Sequence, residues 1–452
     1  MKIKYFIIPV LSLLFVATSC NKNKLDEKVA SVNEWIWQEM NTWYLWTSNM
    51  PSYERTDIDP TTYFNSLLYT AKDKWSFITD NYRELINSFQ GREKAMGYSL
   101  ALYYKDAEQK DVVGYVEFVY PNTPAASAGI KRGDIIGSVN GQVLNNDNYI
   151  DLLFYTDNQT LGYLDYTGTG YTNSEKTISV SSQYIDENPV VKDTIYTFSG
   201  KSIGYLAYVG FISNFNDKLD EVFTKFKENN VKELILDLRY NPGGDLGAAN
   251  YLCSSIVPES DVTSSKRLVN FNWNSYVQQA YTDLEADYNL YINFINDTKI
   301  NMNLPRIYIL TTRGTASASE LTITGLEPYM DVITIGESTH GKYAASITIP
   351  DDDSIWALQP IVLKYSNADG LTDFEDGLSP DYEIKDYIEY PLGDTRDQMI
   401  AKAVSLITGE PLTETKSKNL RPHTGVYFKS AGRNPQITDG LLNIGKTNIK
   451  FE

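Results

Sequence analysis

Histidine and cysteine are nearly absent from this 452-residue sequence, which holds two of each. So few donors leave no clustered His/Cys set with metal-ligand spacing, and no Gly-rich loop followed by Lys-Ser or Lys-Thr is present to cradle a phosphate. No basic block stands out after residue 4, and the formal net charge of -18 argues against nucleic acid as a partner. Internal repeats and long low-complexity tracts are missing too. The length exceeds what one hydrophobic core serves, so two or three domains are expected.

The first twenty residues, M-K-I-K-Y-F-I-I-P-V-L-S-L-L-F-V-A-T-S-C, combine early lysines, an apolar run and small residues. Residues 1–19 therefore read as a secretory signal, too short and one-sided for a lasting membrane span. The A-T-S-C stretch resembles a lipobox, which implies that Cys20 becomes the acylated first residue of the mature chain. The expectation is an exported protein, lipid-anchored through Cys20 to a bacterial cell-envelope membrane and facing the periplasm. An ordinary signal peptide with a chance cysteine is the alternative. Lipidation of Cys20 would leave Cys253 as the other cysteine, with no internal disulfide and an expected buried apolar role.

Residues 20–90 read as a lipidated N-terminus and a small helical module, with Val32, Trp35, Ile36, Met40 and Trp43 forming an approximate helical stripe. From residue 91 short alternating runs such as G-Y-S-L-A-L-Y-Y suit strands. Residues 120–144 then place a Pro-started turn, a short small-residue helix, a Gly-Asp turn, a strand and an Asn-Gly turn in close order. The segment A-G-I-K-R-G-D-I-I-G-S-V-N-G closely resembles a PDZ domain, here spanning 91–185. The resemblance implies that an extended peptide adds as a strand and that its terminal carboxylate meets the loop of Gly97, Tyr98, Ser99 and Leu100. A β-domain that has lost its groove is the alternative.

Residues 195–410 alternate strand and helix signals. K-S-I-G-Y-L-A-Y-V, V-K-E-L-I-L-D-L-R, P-R-I-Y-I-L-T-T-R and V-I-T-I-G-E-S read as strands, and N-D-K-L-D-E-V-F-T-K-F-K-E-N and S-A-S-E-L-T-I-T-G-L-E-P-Y as helices. The order predicts an α/β core whose strand ends present loops to a site. R-Y-N-P-G-G-D-L-G, at 239–247, can turn sharply with exposed amides, although N-P-G-G alone is only a turn. Ser317 falls at a strand-to-helix junction and Ser319 in the first helical turn; taken singly, each is explained by helix capping. Lys342, 25 residues after Ser317, lies where a returning strand brings a loop back beside the helix start. Such a lysine serves as a general base only when burial lowers its pKa.

The set D-L-R-Y-N-P-G-G, T-A-S-A-S-E and G-E-S-T-H-G-K, behind a PDZ-like segment, resembles the C-terminal processing (tail-specific) serine peptidases. The family's pattern implies Ser317 as nucleophile and Lys342 as base. It also implies an oxyanion hole from the N–H of Gly243 or Gly244 and of Ala318, with Ser319 structural. D-G-L-S-P-D-Y-E-I, at 376–384, resembles the family's closing segment. Many members carry a glutamine four residues after the lysine, where this chain has Ser346, whose hydroxyl has a shorter reach for orienting the base. His340, on the loop carrying Lys342, is assigned to loop packing or solvent, and His423 lies in the tail.

The expected fold is thus an α/β protease core with an inserted or preceding PDZ-like β-rich domain and an N-terminal helical module. The expected function is a serine endopeptidase without metal or organic cofactor, acting on protein or peptide substrates bound by their C-termini. A catalytically silent PDZ-type peptide-binding lipoprotein is the second reading and a serine esterase the third. Residues 258–304 form a long stretch rich in Tyr, Asn and Asp, in which Y-V-Q-Q-A-Y-T-D-L-E-A-D-Y-N-L-Y-I-N-F, at 276–294, is expected to be helical, as a lid or substrate wall. The tail, 411–452, is polar and loop-like, with G-L-L-N-I-G-K-T-N-I-K-F-E able to add a strand.

Overall fold

The computed structural model describes residues 15–105, 108–168, 170–410, 427–431 and 442–443. Residues 1–14 of the signal segment and His423 therefore lie outside the described residues. Cys20 lies on the backbone of the helix Phe15–Trp43. No helix among the described residues is long and apolar enough to cross a membrane.

The apolar stripe of the first helix packs as its spacing dictates. Ile36 and Met40 are fully buried with Tyr44, Phe64 and Leu67, while Val32 and Trp35 are partly covered. The second helix, Pro60–Leu67, starts where Pro60 fits the first turn and Asp59 accepts from the Thr62 N–H. The module is joined to the core by antiparallel pairing of Phe77–Thr79 with Ala357–Gln359. Trp43 leaves the module's own cluster to pack on Trp273, with ring centroids 6.2 Å apart.

The β-rich domain that follows is built on one sheet. Tyr98–Tyr104, Val112–Val119, Ile135–Val139, Asn158–Tyr166 and Tyr171–Ser181 are neighbours in that order, and all pair antiparallel. Thr123 caps the short helix Pro124–Ser127, with Pro124 in its first turn. Tyr98, Ser99 and Leu100 belong to the first strand, paired with Val119, Phe118 and Val116, so only Gly97 precedes it. The aromatic and apolar residues of Y-S-L-A-L-Y-Y start the strand at Tyr98, inside the expected loop and three residues earlier than that loop implied.

In the third region, Val190–Phe198, Lys201–Tyr208, Glu233–Asp237, Arg306–Thr311, Asp331–Gly336 and Tyr382–Glu383 form a six-stranded sheet in that order. The first pair is antiparallel and the rest are parallel. Parallel neighbours require crossovers, and Asn216–Glu228 and Ala318–Leu326 supply two of them. Phe223 and Phe226 bury one face of the sheet, while Met399, Ile400 and Val404 of the helix Gln398–Thr408 bury the other. Burying each phenylalanine contributes roughly 2 kcal/mol. Since Glu233–Asp237, Arg306–Thr311 and Asp331–Gly336 run the same way, the segments carrying Asn241, Ser317 and Lys342 all leave one edge of the sheet.

A second six-stranded sheet has the order Gly244–Asp245, Leu442–Asn443, Ala344–Ser346, Ile361–Asn367, Arg267–Trp273 and Tyr291–Asn293. Its last two strands correct the expectation of a helix over residues 276–294. The α-helix of that run starts at Ser275, capped by Asn274, and ends at Asp283, and the chain turns at Glu285, whose φ is 52°. Beyond it Tyr291–Asn293 pairs antiparallel with Arg267–Trp273, so this part of the segment is built into the sheet. Cys253 is fully buried, and that burial pushes its thiol up to about 12.

Candidate active site

Ser317 is fully buried at the start of the helix Ala318–Leu326, with φ 60° and ψ -109°. A non-glycine residue held there stores roughly 1–3 kcal/mol of strain. Its Oγ has no hydrogen-bond partner among the described residues. Ser319, by contrast, donates from Oγ to the Asn241 carbonyl at 2.9 Å. Of the two serines, one hydroxyl is engaged in packing two loops together and the other is unengaged.

Lys342 is also fully buried. Two side chains tie its backbone to that of Ser317. The Ser317 N–H donates to Glu320 Oε2 at 2.7 Å, and the Lys342 N–H donates to the same oxygen at 2.9 Å. Glu320 Oε1 accepts from the Thr339 hydroxyl and the Gly341 N–H, both at 2.6 Å. Tyr365 Oη lies 3.2 Å from the carbonyls of both Ser317 and Lys342, and shares its one proton between them. Burial pushes the Glu320 carboxyl up from its ordinary value against the pull of its four donors. Burial likewise holds Tyr365 protonated, with the Glu320 charge adding to the effect.

The loop bearing Lys342 is fixed from behind by the D-G-L-S-P-D segment. Thr339 N–H donates to the Leu378 carbonyl at 3.1 Å and Leu378 N–H to Thr339 Oγ1 at 2.7 Å. Gly341 has φ +98°, and a Cβ there would stand 2.3 Å from the Glu375 carbonyl oxygen. Lys342 Nζ stands 5.7 Å from the ring centroid of Trp75, a residue of the N-terminal module. His340 Nε2 is 3.5 Å from Trp75 Nε1, and burial, together with the charges of Lys342, Arg313 and Lys74, lowers its pKa to about 4. His340 is therefore a neutral packing residue of this loop at neutral pH.

The glycine loop meets the Ser317 turn at Asn241, whose carbonyl accepts from Ala316 N–H at 3.1 Å as well as from Ser319. Asn241 Oδ1 accepts from Gly243 N–H at 2.9 Å, which commits that amide. Gly244 has φ +138°, and a Cβ there would stand 2.2 Å from the Phe211 carbonyl oxygen. Ala318 opens the helix, so its N–H has no carbonyl partner within the helix. The strand Ala344–Ser346 belongs to the same sheet as Gly244–Asp245 and is one strand removed from it; Ser346 Oγ accepts from Gln359 Nε2 at 2.9 Å, and Gln359 Oε1 accepts from Thr348 at 2.8 Å.

Two residues before Asn241, Arg239 is fully buried among Asp237, Asp386 and Asp397, at 2.7, 3.1 and 2.8 Å. Arg132 of the β-rich domain also reaches Asp386, at 3.1 Å, and donates to Tyr240 Oη at 2.6 Å. Burial opposes the charge on Asp386, but Arg239 and Arg132 overcome it and hold its carboxyl well below the usual range. Removing one member of such a buried set costs about 3–5 kcal/mol, because the remaining charges stay buried without it.

Sequence reasoning missed Glu320, Tyr365, Gln359 and Trp75. Glu320 carried a signal, since Ser317-x-x-Glu320 has capping-box spacing. The others reach the site across the fold. Of the residues expected at the peptide-binding loop, Ser99 donates to Glu117 Oε2 at 2.7 Å, Tyr98 Oη donates to Gln159 at 3.0 Å and Leu100 is buried.

Residues 202–384 match the peptidase family S41 model, residues 31–77 the peptidase S41 N-terminal domain and residues 115–160 a PDZ domain. The chloroplastic C-terminal processing peptidase of Tetradesmus obliquus is 25% identical over 299 residues, covering 64% of this chain and 60% of that protein. The carboxy-terminal processing protease CtpA of Bacillus subtilis (strain 168) is 25% identical over 392 residues, covering 84% and 76%. A Bacteroides fragilis NCTC 9343 structure assigned to the S41 proteases superposes with TM-score 0.68 at 26% identity, covering 83% of this chain and 97% of that one. The photosystem II D1 C-terminal processing protease shares the fold, with TM-score 0.53 at 20% identity, covering 85% of this chain and 99% of that one. With its S41 N-terminal domain and PDZ domain, the chain belongs to the C-terminal processing serine peptidases of family S41.

Proposed function

We propose that the chain is an exported lipoprotein endopeptidase in which Ser317 and Lys342 form a catalytic dyad. The observation that carries this reading is the pair of side chains, Glu320 and Tyr365, that bind the backbones of both residues at once. Ser317 Oγ attacks the peptide carbonyl carbon while its proton passes to Lys342 Nζ. The negative oxygen of the tetrahedral intermediate is met by the N–H groups of Gly244 and Ala318. As the C–N bond breaks, Lys342 returns the proton to the departing amine, and water then hydrolyses the acyl-enzyme by the same base. Ser346, held by Gln359, positions the lysine side of the site.

Substrates are protein or peptide chains with accessible C-termini, added as a strand along Tyr98–Tyr104 near Gly97. Acylation of Cys20 anchors the mature chain to the cell-envelope membrane on its periplasmic side. Cleavage of an unstructured polypeptide with an apolar C-terminus is measured for the mature chain, Ser317→Ala and Lys342→Met. Both variants are expected to lose cleavage while still binding the polypeptide. Full activity of Ser317→Ala sinks the dyad, and binding without cleavage by the unmodified chain favours the silent peptide-binding lipoprotein. Incorporation of labelled palmitate, lost in Cys20→Ser, checks the anchor.

A further inference from the structure

Two short pieces of the C-terminal segment occupy strand positions. Tyr427–Ala431 pairs antiparallel with Tyr98–Tyr104, the strand proposed to accept substrate, placing Tyr427 opposite Tyr103 and Ala431 opposite Leu100. The segment thus runs toward Gly97, the polarity a strand-adding peptide takes when its end meets that loop. It also forms the outermost strand of its sheet, covering an edge that would otherwise present unpaired N–H and C=O groups.

The second piece, Leu442–Asn443, lies between Gly244–Asp245 and Ala344–Ser346. Leu442 is opposite Gly244, and Asn443 is opposite both Asp245 and Ser346, in parallel pairing. Its flanks are therefore the oxyanion glycine on one side and the strand following Lys342 on the other. A substrate backbone crossing from the glycine loop to the lysine strand would need the same space and the same backbone partners.

We propose that the two pieces Tyr427–Ala431 and Leu442–Asn443 are intramolecular occupants of the two substrate edges, which a substrate must displace before it is cleaved. This rests on reading those edges as the peptide-binding and catalytic clefts. A tethered strand competes at the high effective concentration of its linker, and a site open only a fraction f of the time binds with its Kd divided by f. A tail seated for all but about a tenth to a hundredth of the time weakens apparent affinity roughly 10- to 100-fold.

Binding of a fluorescein-labelled unstructured peptide with an apolar C-terminus is measured on the full mature chain carrying Ser317→Ala, so that the probe is not consumed. Ser430→Pro and Leu442→Pro, singly and together, remove strand N–H donors from the two pieces. The expected result is a Kd lowered about tenfold or more in the double variant, with a matching rise in kcat/KM when Ser317 is present. A Kd within twofold of the parent in every folded variant overturns the proposal. Hydrogen exchange on the unsubstituted chain is a second measurement: the amides of 427–431 and 442–443 should be protected and released by excess probe, and unprotected exchange in the free chain overturns it. Failure of the dyad reading is distinguishable, because persistent cleavage by Ser317→Ala sinks the nucleophile, whereas the tail is scored by binding and exchange alone.

Discussion

Glu320→Gln is the substitution that tests the organisation of the site most directly. The carboxylate receives four donors, two on each oxygen, all in the fully buried interior. A glutamine presents one oxygen and one NH2 group, so one pair of donors must face a donor. The amide is best placed with its oxygen toward Ser317 and Lys342, because the Thr339 hydroxyl can rotate to accept whereas the Gly341 N–H cannot. One backbone amide is then left buried and unpaired, at about 1–3 kcal/mol, and two further bonds lose their charge assistance. The expected loss is roughly 2–4 kcal/mol, while Glu320→Ala, which orphans three backbone amides, is expected to lose about 3–9 kcal/mol. Domain stabilities of about 5–15 kcal/mol make the first tolerable and the second close to unfolding. Urea titration reads both values, and peptide cleavage reads the geometry. A displacement near 1 Å at a reacting pair costs on the order of a hundredfold, so kcat of Glu320→Gln should fall more than tenfold. A Glu320→Gln chain as stable as its parent, with unchanged kcat, would refute the idea that this carboxylate sets Ser317 and Lys342 together.

Three further outcomes follow from particular contacts. His340 titrates at about 4 in the folded chain against an ordinary 6.5, so the unfolded chain binds more protons between those values. Its contribution is complete above pH 6.5 and lost as pH falls toward 4; urea stability curves should show His340→Gln flatter across that window by roughly 3 kcal/mol. Gly244→Ala drives a Cβ to 2.2 Å from the Phe211 carbonyl oxygen and displaces the proposed oxyanion donor; steady-state cleavage should fall by about a hundredfold or more. Ser319→Ala removes one hydrogen bond to the Asn241 carbonyl, for about 1 kcal/mol in urea titration and less than a tenfold change in kcat, whereas Ser317→Ala should abolish cleavage without lowering stability.

Much of the scaffold was legible because its signals are local. The helix Asn216–Glu228 follows the 3.6-residue period of N-D-K-L-D-E-V-F-T-K-F-K-E-N, and the buried strand Glu233–Asp237 follows the apolar run that precedes N-P-G-G. The run 276–294 misled because its Tyr, Asn and Asp residues fit a helix and a strand about equally. Partner strands decide there, and Arg267–Trp273 captures Tyr291–Asn293 from the same stretch. In the site, spacing and resemblance singled out Ser317 and Lys342, but the contacts joining them depend on Tyr365, 48 residues from Ser317, and on Trp75 from the N-terminal module. No local pattern distinguishes that tyrosine from the other 33 of the 34 in the chain.

Asn241 explains why two serines stand two residues apart in this turn. Its carbonyl takes the Ser319 hydroxyl and the Ala316 amide, while its side chain takes the Gly243 amide and donates to the Tyr208 carbonyl at 2.9 Å. One residue thereby locks the glycine loop, the serine turn and the neighbouring strand into a single unit. An alanine at 319 would keep the backbone bond from Ala316 but lose the second anchor, and the turn would be held on one side of Ser317 only. Glu320 provides the complementary restraint from the lysine loop. Ser317, between these two anchors, is kept at positive φ with its hydroxyl unengaged, a conformation that a serine serving merely as a helix cap would have no need to hold.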